Sequence, residues 1–424
     1  MRVRLAILVA KIFRVLTRLR GGGSAFPGWV LLRLVPDILE RTIGKIPGGV
    51  VFVSGSNGKS TTTTMLASLA RAHGLRVFSN PAGSNLPQGL ASAVAATAKL
   101  SGTIRADIAI LEVDEAYGPI IAKLLRPDWV VLTNLQIDQL NRFGEPERVW
   151  QMLRELCQSA RAGLVVNAAD PNLAQLGATL ERAGAKVCAV DATEEATLTQ
   201  AHGLVAAEIH FDEDRTLSAQ LSAILTSTSG RTAEIALDDG RGLTVSLPAP
   251  GLHYAIDAAI AICALSVLLD TPVDPERVVE SFENLPPVYG RGETIRYRGR
   301  EIALTMMKNL PSLQVNLAAM EGPLERVWIA VDEGTPDPSW IWDVDLHPID
   351  HVDVLSGTKA WQWALLLEHR GIPYGEVIED TKEALAAVCA LPAATAQPVS
   401  AIVNYEQMML IRRLAGYKEL EGSS

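Results

Sequence analysis

The stretch Val51-Phe52-Val53-Ser54-Gly55-Ser56-Asn57-Gly58-Lys59-Ser60, followed by four threonines from Thr61 to Thr64, carries an apolar strand into a glycine-rich turn and then into a helix. A turn of this kind offers the backbone N–H groups of Gly55, Ser56, Asn57, Gly58 and Lys59 to an anion, with the positive end of the next helix dipole behind them. Lys59 is spaced to reach terminal phosphates and the Ser60 hydroxyl to reach Mg²⁺. Gly55 to Thr61 are therefore the candidate nucleotide-binding residues. The spacing is GxxGKS, with Val53 where the longer phosphate-loop pattern has its first glycine, which predicts a tighter loop.

The 424 residues predict two or three domains, enough for more than one buried core. A net charge of −10 argues against general nucleic-acid affinity, which needs clustered cations. The four cysteines, Cys157, Cys188, Cys263 and Cys389, form no CxxC pair, so no zinc site and no disulfide framework is expected, and a reducing cytoplasm fits best. At the N-terminus Leu5, Leu8, Ile12, Val15 and Leu16 recur at helical spacing among Arg14, Arg18, Arg20 and Lys11. That pattern predicts an amphipathic basic helix rather than a cleaved or spanning segment. Two roles stay open for it, docking on the protein itself or contact with anionic lipid at the inner face of the membrane.

Short Val/Ile/Leu-rich runs alternate with helical stretches along the first half: Val50–Ser54, Arg76–Ser79, Ile108–Val113, Trp129–Thr133, Gly163–Asn167 and Val187–Asp191. These read as strands of a doubly wound parallel sheet, whose ligands sit at the strands' carboxyl ends. Before them a helix is expected near Gly28 to Ile43. From Leu204 to Pro248 alternating runs such as Thr232–Leu237 predict an antiparallel addition, and a helical block follows over Ala255–Leu269. Pro286-Pro287 and Gly290-Arg291-Gly292-Glu293 mark a boundary, after which Val327–Val331, Val352–Leu355, Glu376–Ile378 and Ser400–Val403 read as strands of a smaller Rossmann-like α/β domain. The expected organisation is a helical segment over 1–45, an ATP-binding domain over 46–293 and a second domain over 294–424.

Acid clusters at the end of the third strand, in Leu111-Glu112-Val113-Asp114-Glu115. Period-two geometry predicts Glu112 and Asp114 on one face and Glu115 on the other. A carboxylate there, beside a phosphate loop, is a Mg²⁺ candidate, since hard cations take oxygen ligands. A merely solvated strand end is the alternative.

The loop, then Asn80-Pro-Ala-Gly-Ser-Asn85-Leu-Pro-Gln-Gly89, then the Glu112–Glu115 string, then Thr133-Asn134-Leu135-Gln136-Ile137-Asp138-Gln139-Leu140-Asn141-Arg142-Phe143-Gly144-Glu145 and Asn167-Ala-Ala-Asp170-Pro171, stand in the order and spacing of the Mur ligase superfamily. Within it the chain resembles the MurT family most, through Lys308-Asn309 and Asp337-Pro-Ser-Trp-Ile-Trp-Asp343 as well. MurT proteins are ligase subunits that work with a GatD-like class I glutamine amidotransferase on lipid II. The resemblance implies ATP and Mg²⁺ as cofactors, with Lys59 on the β- and γ-phosphates, Ser60 on one Mg²⁺ and Glu112 on a second. It also implies Asn167 near the nucleotide, Arg291 reaching the γ-phosphate from the domain boundary, and Asp337 orienting the partner's histidine across the interface. Without the resemblance, Asp337 reads equally as a cap for the turn ahead of Trp340.

The chain departs from the family in places. Tyr254 and Asp257 replace two asparagines that approach adenine, Gln139 replaces a metal-binding histidine, and no lysine lies between Arg142 and Val166 to be carbamylated. The 204–248 region lacks the cysteines of the zinc ribbon that some relatives carry. The expected function is ATP-dependent activation of the D-glutamate α-carboxylate of lipid II for amidation to D-isoglutamine, with ammonia from the partner. A stand-alone Mur-type amino-acid ligase and a nucleotide-binding scaffold for an amidotransferase are the alternatives.

Overall fold

The computed structural model describes residues 2–19, 25–80, 84–136, 145–199, 205–211, 216–269, 271–286, 291–320, 322–333, 339–392 and 397–417. Nine strands form the first sheet: β1 (Val50–Ser54), β2 (Val77–Ser79), β3 (Ile108–Glu112), β4 (Trp129–Leu132), β5 (Gly163–Asn167), β6 (Val187–Ala192), β7 (Leu221–Ser229), β8 (Thr232–Leu237) and β9 (Gly242–Ser246). Their order is β2-β3-β1-β4-β5-β6-β7-β8-β9. Strands β1, β3, β4 and β5 are buried along their whole length, as both-face coverage by helices demands, and this is why they read as unbroken apolar runs. The chain leaves β1 for β2 on one side, returns through β3, then crosses to β4 on the other. The carboxyl end of β1 is thus a topological switch point, flanked by the ends of β3 and β4.

The antiparallel addition begins one strand later than expected. β7 still runs parallel to β6, pairing Val190 with Ala223, and antiparallel pairing begins only at β8, which runs against both β7 and β9. Helix Leu252–Leu269 lies across the sheet and packs on helix Lys59–Ala72. Among the described residues it is the one helix long and apolar enough to cross a membrane, with a mean hydropathy of 2.0, yet 72% of it is buried inside the molecule. It is the core helix of the first sheet, joining Val51, Val53, Met65 and Leu66 in one cluster.

The helix expected over Gly28–Ile43 is instead two helices, Phe26–Leu34 and Ile38–Thr42, the second running into a 3₁₀ turn. Pro36 splits them: it cannot donate a helical hydrogen bond, and it disfavours the helical region for Val35, which sits at φ −139°, ψ 87°. Helix Arg2–Leu19 packs on Phe26–Leu34, which crosses helix Pro87–Thr97 at Gly28, where a Cβ would run into the Gln88 carbonyl.

The second sheet contains β10 (Arg291–Tyr297), β11 (Arg300–Met306), β12 (Val327–Ala330), β13 (Val352–Ser356), β14 (Tyr374–Ile378) and β15 (Val399–Val403), ordered β10-β11-β15-β12-β13-β14. The last four strands read from sequence are here and parallel. The β10–β11 hairpin was not anticipated. Its two-residue turn places Arg298 and Gly299 at φ +47° and +81°, the geometry that matches strand twist. Glu293 on β10 is tied by an ion pair to Arg412 of the last helix, Tyr405–Leu414.

Candidate active site

Two glycines shape the loop after β1. Gly55 sits at φ +132°, and a Cβ there would lie 2.8 Å from the Asn134 carbonyl. Gly58 sits at φ +80°, and a Cβ there would lie 2.5 Å from Oδ1 of Asp257 on the core helix. Both positions combine a backbone region that side chains rarely adopt with a space already filled. Helix Lys59–Ala72 starts directly after Gly58, so its first N–H groups open toward the loop. Thr61 is buried in its first turn.

The loop is held from beneath by the segment following β4. Ser56 N–H donates to the Asn134 carbonyl (3.0 Å) and Asn57 N–H to Asn134 Oδ1 (2.9 Å). Thr133 Oγ1 and Asn134 Nδ2 both donate to the Asn57 carbonyl (2.6 and 3.1 Å), while Asn57 Nδ2 donates to Gln136 Oε1 (2.6 Å). This leaves the cradle preorganised, because most polar groups on its underside are already satisfied. Residues 133–136 are therefore the support of the phosphate loop, a role the sequence string announced without assigning. The remainder of that string, 137–144 with Gln139, lies outside the described residues.

Asn167 belongs to the same support, one layer behind. It is buried, donates through Nδ2 to the Thr133 carbonyl (2.8 Å) and accepts from Ala169 N–H. The structure places it behind the loop rather than on an open face. Asp170 caps helix Pro171–Arg182 and also accepts from Leu135 N–H (2.6 Å). Burial pushes its carboxyl up to about 6, against the pull of the N–H groups of Leu135, Asn172 and Leu173.

Ser60 and Glu112 meet: Ser60 Oγ donates to Glu112 Oε2 at 2.7 Å. Asn80 clamps the Glu112 backbone at both ends, accepting from its N–H (2.9 Å) and donating to its carbonyl (3.0 Å). Asn85 Nδ2 donates to Oε1 (3.2 Å). These asparagines explain the Asn80–Gly89 string, whose contribution is to aim the Glu112 carboxylate at the helix that carries Ser60. The adjacent hydroxyl and carboxylate oxygens suit Mg²⁺, which takes one or two protein oxygens and fills its shell with phosphate and water.

Glu115 departs from the sequence expectation. Strand β3 ends at Glu112, and a turn closed on Asp114, with Ala116 N–H on its Oδ1 and Gly118 N–H on its carbonyl, ends the period-two alternation. Glu115 is thereby swung onto Lys59, 2.8 Å from Nζ, instead of away from it. Nζ also donates to the carbonyls of Gly55 and Ser56.

The second sheet reaches this site through the segment after β11. Lys308 Nζ donates to the Ser56 carbonyl (3.4 Å), and Asn57 Nδ2 to Oδ1 of Asn309 (3.4 Å), the residue that caps helix Leu310–Ala318. Arg291 opens β10 and pairs with Thr305, while its side chain lies outside the described residues. Asp337 also lies outside them. Tyr254 and Asp257 are buried on the core helix, Asp257 with its carboxylate against Gly58. All four cysteine thiols are pushed up by burial, so none is poised as a thiolate nucleophile.

This geometry agrees with what the chain is similar to. The family model described as the Mur ligase middle domain matches residues 53–265, half of the chain. A Staphylococcus aureus protein named lipid II isoglutaminyl synthase (glutamine-hydrolyzing) subunit MurT is 25% identical over 403 residues, which cover 89% of this chain and 90% of that protein. The protein of the same name from Streptococcus pneumoniae is 27% identical over 397 residues, 86% of each. Among solved structures, MurF ligase from Thermotoga maritima in complex with ADP superposes with a TM-score of 0.62 at 19% identity, covering 92% of this chain and 82% of that one. With its phosphate loop, its switch-point carboxylate and half its length matched, the chain belongs to the Mur ligase family of ATP-dependent ligases.

Proposed function

We propose that this chain is the ligase subunit of a glutamine-hydrolysing lipid II isoglutaminyl synthase. The observation that carries the reading is the extent of the MurT likeness, which spans 89% of the chain and therefore both sheets, beyond the matched middle domain. In this reading the α-carboxylate of D-glutamate in the lipid-linked stem peptide attacks the γ-phosphorus of ATP, and ADP leaves. Ammonia then adds to the acyl carbon, the C–O bond to phosphate breaks, and the surplus proton passes to solvent or to phosphate. The product is D-isoglutamine, formed at the inner face of the membrane.

Lys59 would neutralise the β- and γ-phosphates once released from Glu115, and the loop N–H groups other than those of Ser56 and Asn57, which donate to Asn134, would hold the polyphosphate in line. Ser60 and Glu112 would hold Mg²⁺, which supplies charge stabilisation to the transferring phosphoryl group. Lys308, on the Ser56 carbonyl, stands at the junction where Arg291 would approach the γ-phosphate.

Ammonia would come from a GatD-like class I glutamine amidotransferase, because no thiol of this chain is activated for glutamine hydrolysis. Asp337 would orient that partner's histidine, holding the imidazole in the tautomer that activates the partner's thiol. An exposed apolar ridge not far along the chain from Asp337 supports this part of the reading. Trp361, Leu365 and His369 recur every four residues on helix Ala360–Arg370, and the ring of Trp342 lies edge-on to His369. Trp361 and Leu365 are 60% and 59% exposed, an aromatic ridge of the kind that anchors interfaces.

The test is co-expression with the amidotransferase and mass-spectrometric detection of glutamine-dependent amidation of lipid II. Amidation that Lys59→Ala abolishes is expected. ATP-dependent phosphate release without any amidated product would overturn the substrate assignment, and absence of both with an authenticated partner would favour the scaffold.

A further inference from the structure

Helix Arg2–Leu19 is apolar on two opposite faces. Ala6, Ile7 and Ala10 are buried in the core cluster formed with the two neighbouring helices. Leu5, Leu8, Ile12, Val15 and Leu16 recur on the far face, between 43% and 62% exposed. The stripe does not stop at the helix. Phe13 meets Phe26 edge-on at 5.4 Å, and Phe26 stacks on Trp29 at 6.0 Å, with Trp29 56% exposed. A contiguous exposed apolar patch of this kind calls for an occupant.

Charge identifies that occupant. The first 36 residues contain seven arginines and lysines and no acid, in a chain whose net charge is −10. On the helical wheel Arg4 and Lys11 border the stripe on one side and Arg2 on the other. Arg4 is exposed, while Arg2 Nε donates to the Leu34 carbonyl (3.0 Å) and Lys11 Nζ to the Ala96 carbonyl (3.4 Å), contacts that lipid phosphate would replace. A second copy would oppose cations with cations. The cations also prevent the helix from spanning: among the described residues the one span-like helix is the buried Leu252–Leu269. An apolar ridge bordered by arginine and lysine, with tryptophan and phenylalanine at its margin, matches the boundary between acyl chains and anionic headgroups.

We propose that helix Arg2–Leu19, with Phe26 and Trp29, docks this chain on an anionic lipid bilayer. The helix lies in the interface plane, its stripe among the upper acyl carbons and its cations on lipid phosphates. The proposal goes beyond the ligase reading and stands without it, since lipid binding is read with no turnover.

The experiment uses the full chain, sedimented with vesicles of phosphatidylglycerol and phosphatidylcholine or of phosphatidylcholine alone. Binding about tenfold or more stronger to the anionic vesicles, weakening as salt rises, is expected. The Leu8→Glu/Ile12→Glu double variant changes two exposed positions and should keep the wild-type Tm while losing about tenfold or more in binding. Arg4→Glu/Lys11→Glu should remove the preference for anionic vesicles. Wild type that sediments with neither vesicle, or as well as the Leu8→Glu/Ile12→Glu variant, overturns the proposal. So does self-association in the absence of lipid that this variant abolishes, which would make a second copy the occupant.

Discussion

Lys59 Nζ lies 2.8 Å from Oε1 of Glu115, and both side chains are buried, at 8% and 4% exposure. The lysine that would grip phosphate is held by a carboxylate and two loop carbonyls, so polyphosphate must displace Glu115 as its counter-charge. Removing one partner of a buried pair strands the other charge and costs about 3–5 kcal/mol. Glu115→Ala should lose that much stability in urea denaturation without nucleotide, and saturating ATP should restore part of it. Glu115→Gln should lose less and should bind ATP about tenfold more tightly by calorimetry, because Lys59 gives up a weaker partner.

The Ser60–Glu112 contact makes a different demand. Glu112→Gln keeps the hydrogen-bond acceptor for Ser60 and removes the charge, so kcat should fall about a hundredfold with little change in Tm. The Mg²⁺ concentration needed for half-maximal phosphate release should rise. Asn85→Ala, which only loosens the carboxylate, should cost about tenfold or less in the same assay.

Gly58 and Asp257 touch, which places an acid beside an anion cradle. Gly58→Ala should destabilise by about 2 kcal/mol or more, through its positive φ and the collision with Asp257, and should abolish nucleotide binding. Asp257→Asn removes the like charge without changing shape, and ATP affinity should rise about tenfold by titration calorimetry.

Asp170 supplies a pH dependence. Its carboxyl titrates near 3.8 in the unfolded chain and at about 6 in the folded one. Between those values the folded chain holds a proton that the unfolded chain has released. Its contribution is therefore complete below about pH 4 and falls away as pH rises to about 6, by about 3 kcal/mol. Asp170→Asn should flatten that part of the stability–pH curve measured by urea denaturation.

Trp361→Ala and Leu365→Ala remove exposed side chains and should leave the free energy of unfolding within about 0.5 kcal/mol of wild type. If this ridge receives the amidotransferase, each should weaken its binding by about 1–2 kcal/mol in surface plasmon resonance while leaving ATP binding unchanged.

Much of this site was legible along the chain because strand, turn and helix at the phosphate loop are local events. Glycines at Gly55 and Gly58, Lys59 and Ser60 declare themselves within ten residues, and β1, β5 and β8 have the boundaries expected of them. Glu112 was also legible, as an acid at a strand's carboxyl end. Glu115 was not, since period-two alternation holds only while the strand lasts, and the turn on Asp114 ends it. The β10–β11 hairpin was missed because its second strand, Arg300–Met306, follows a turn whose Arg298 carries a positive φ that no residue preference signals.

By itself the sequence determined that a doubly wound sheet carries a phosphate cradle at the end of its first strand, because apolar periodicity and glycine geometry act over neighbouring residues. Only the tertiary structure decided what the cradle rests on and what already occupies its lysine. The Thr133–Gln136 support, the asparagine clamp on Glu112, the Asp257 carboxylate against Gly58 and the hand-over of Lys59 to Glu115 join residues tens to hundreds of positions apart. Their partners are chosen by which strand ends the fold brings side by side, and burial there makes each charge count.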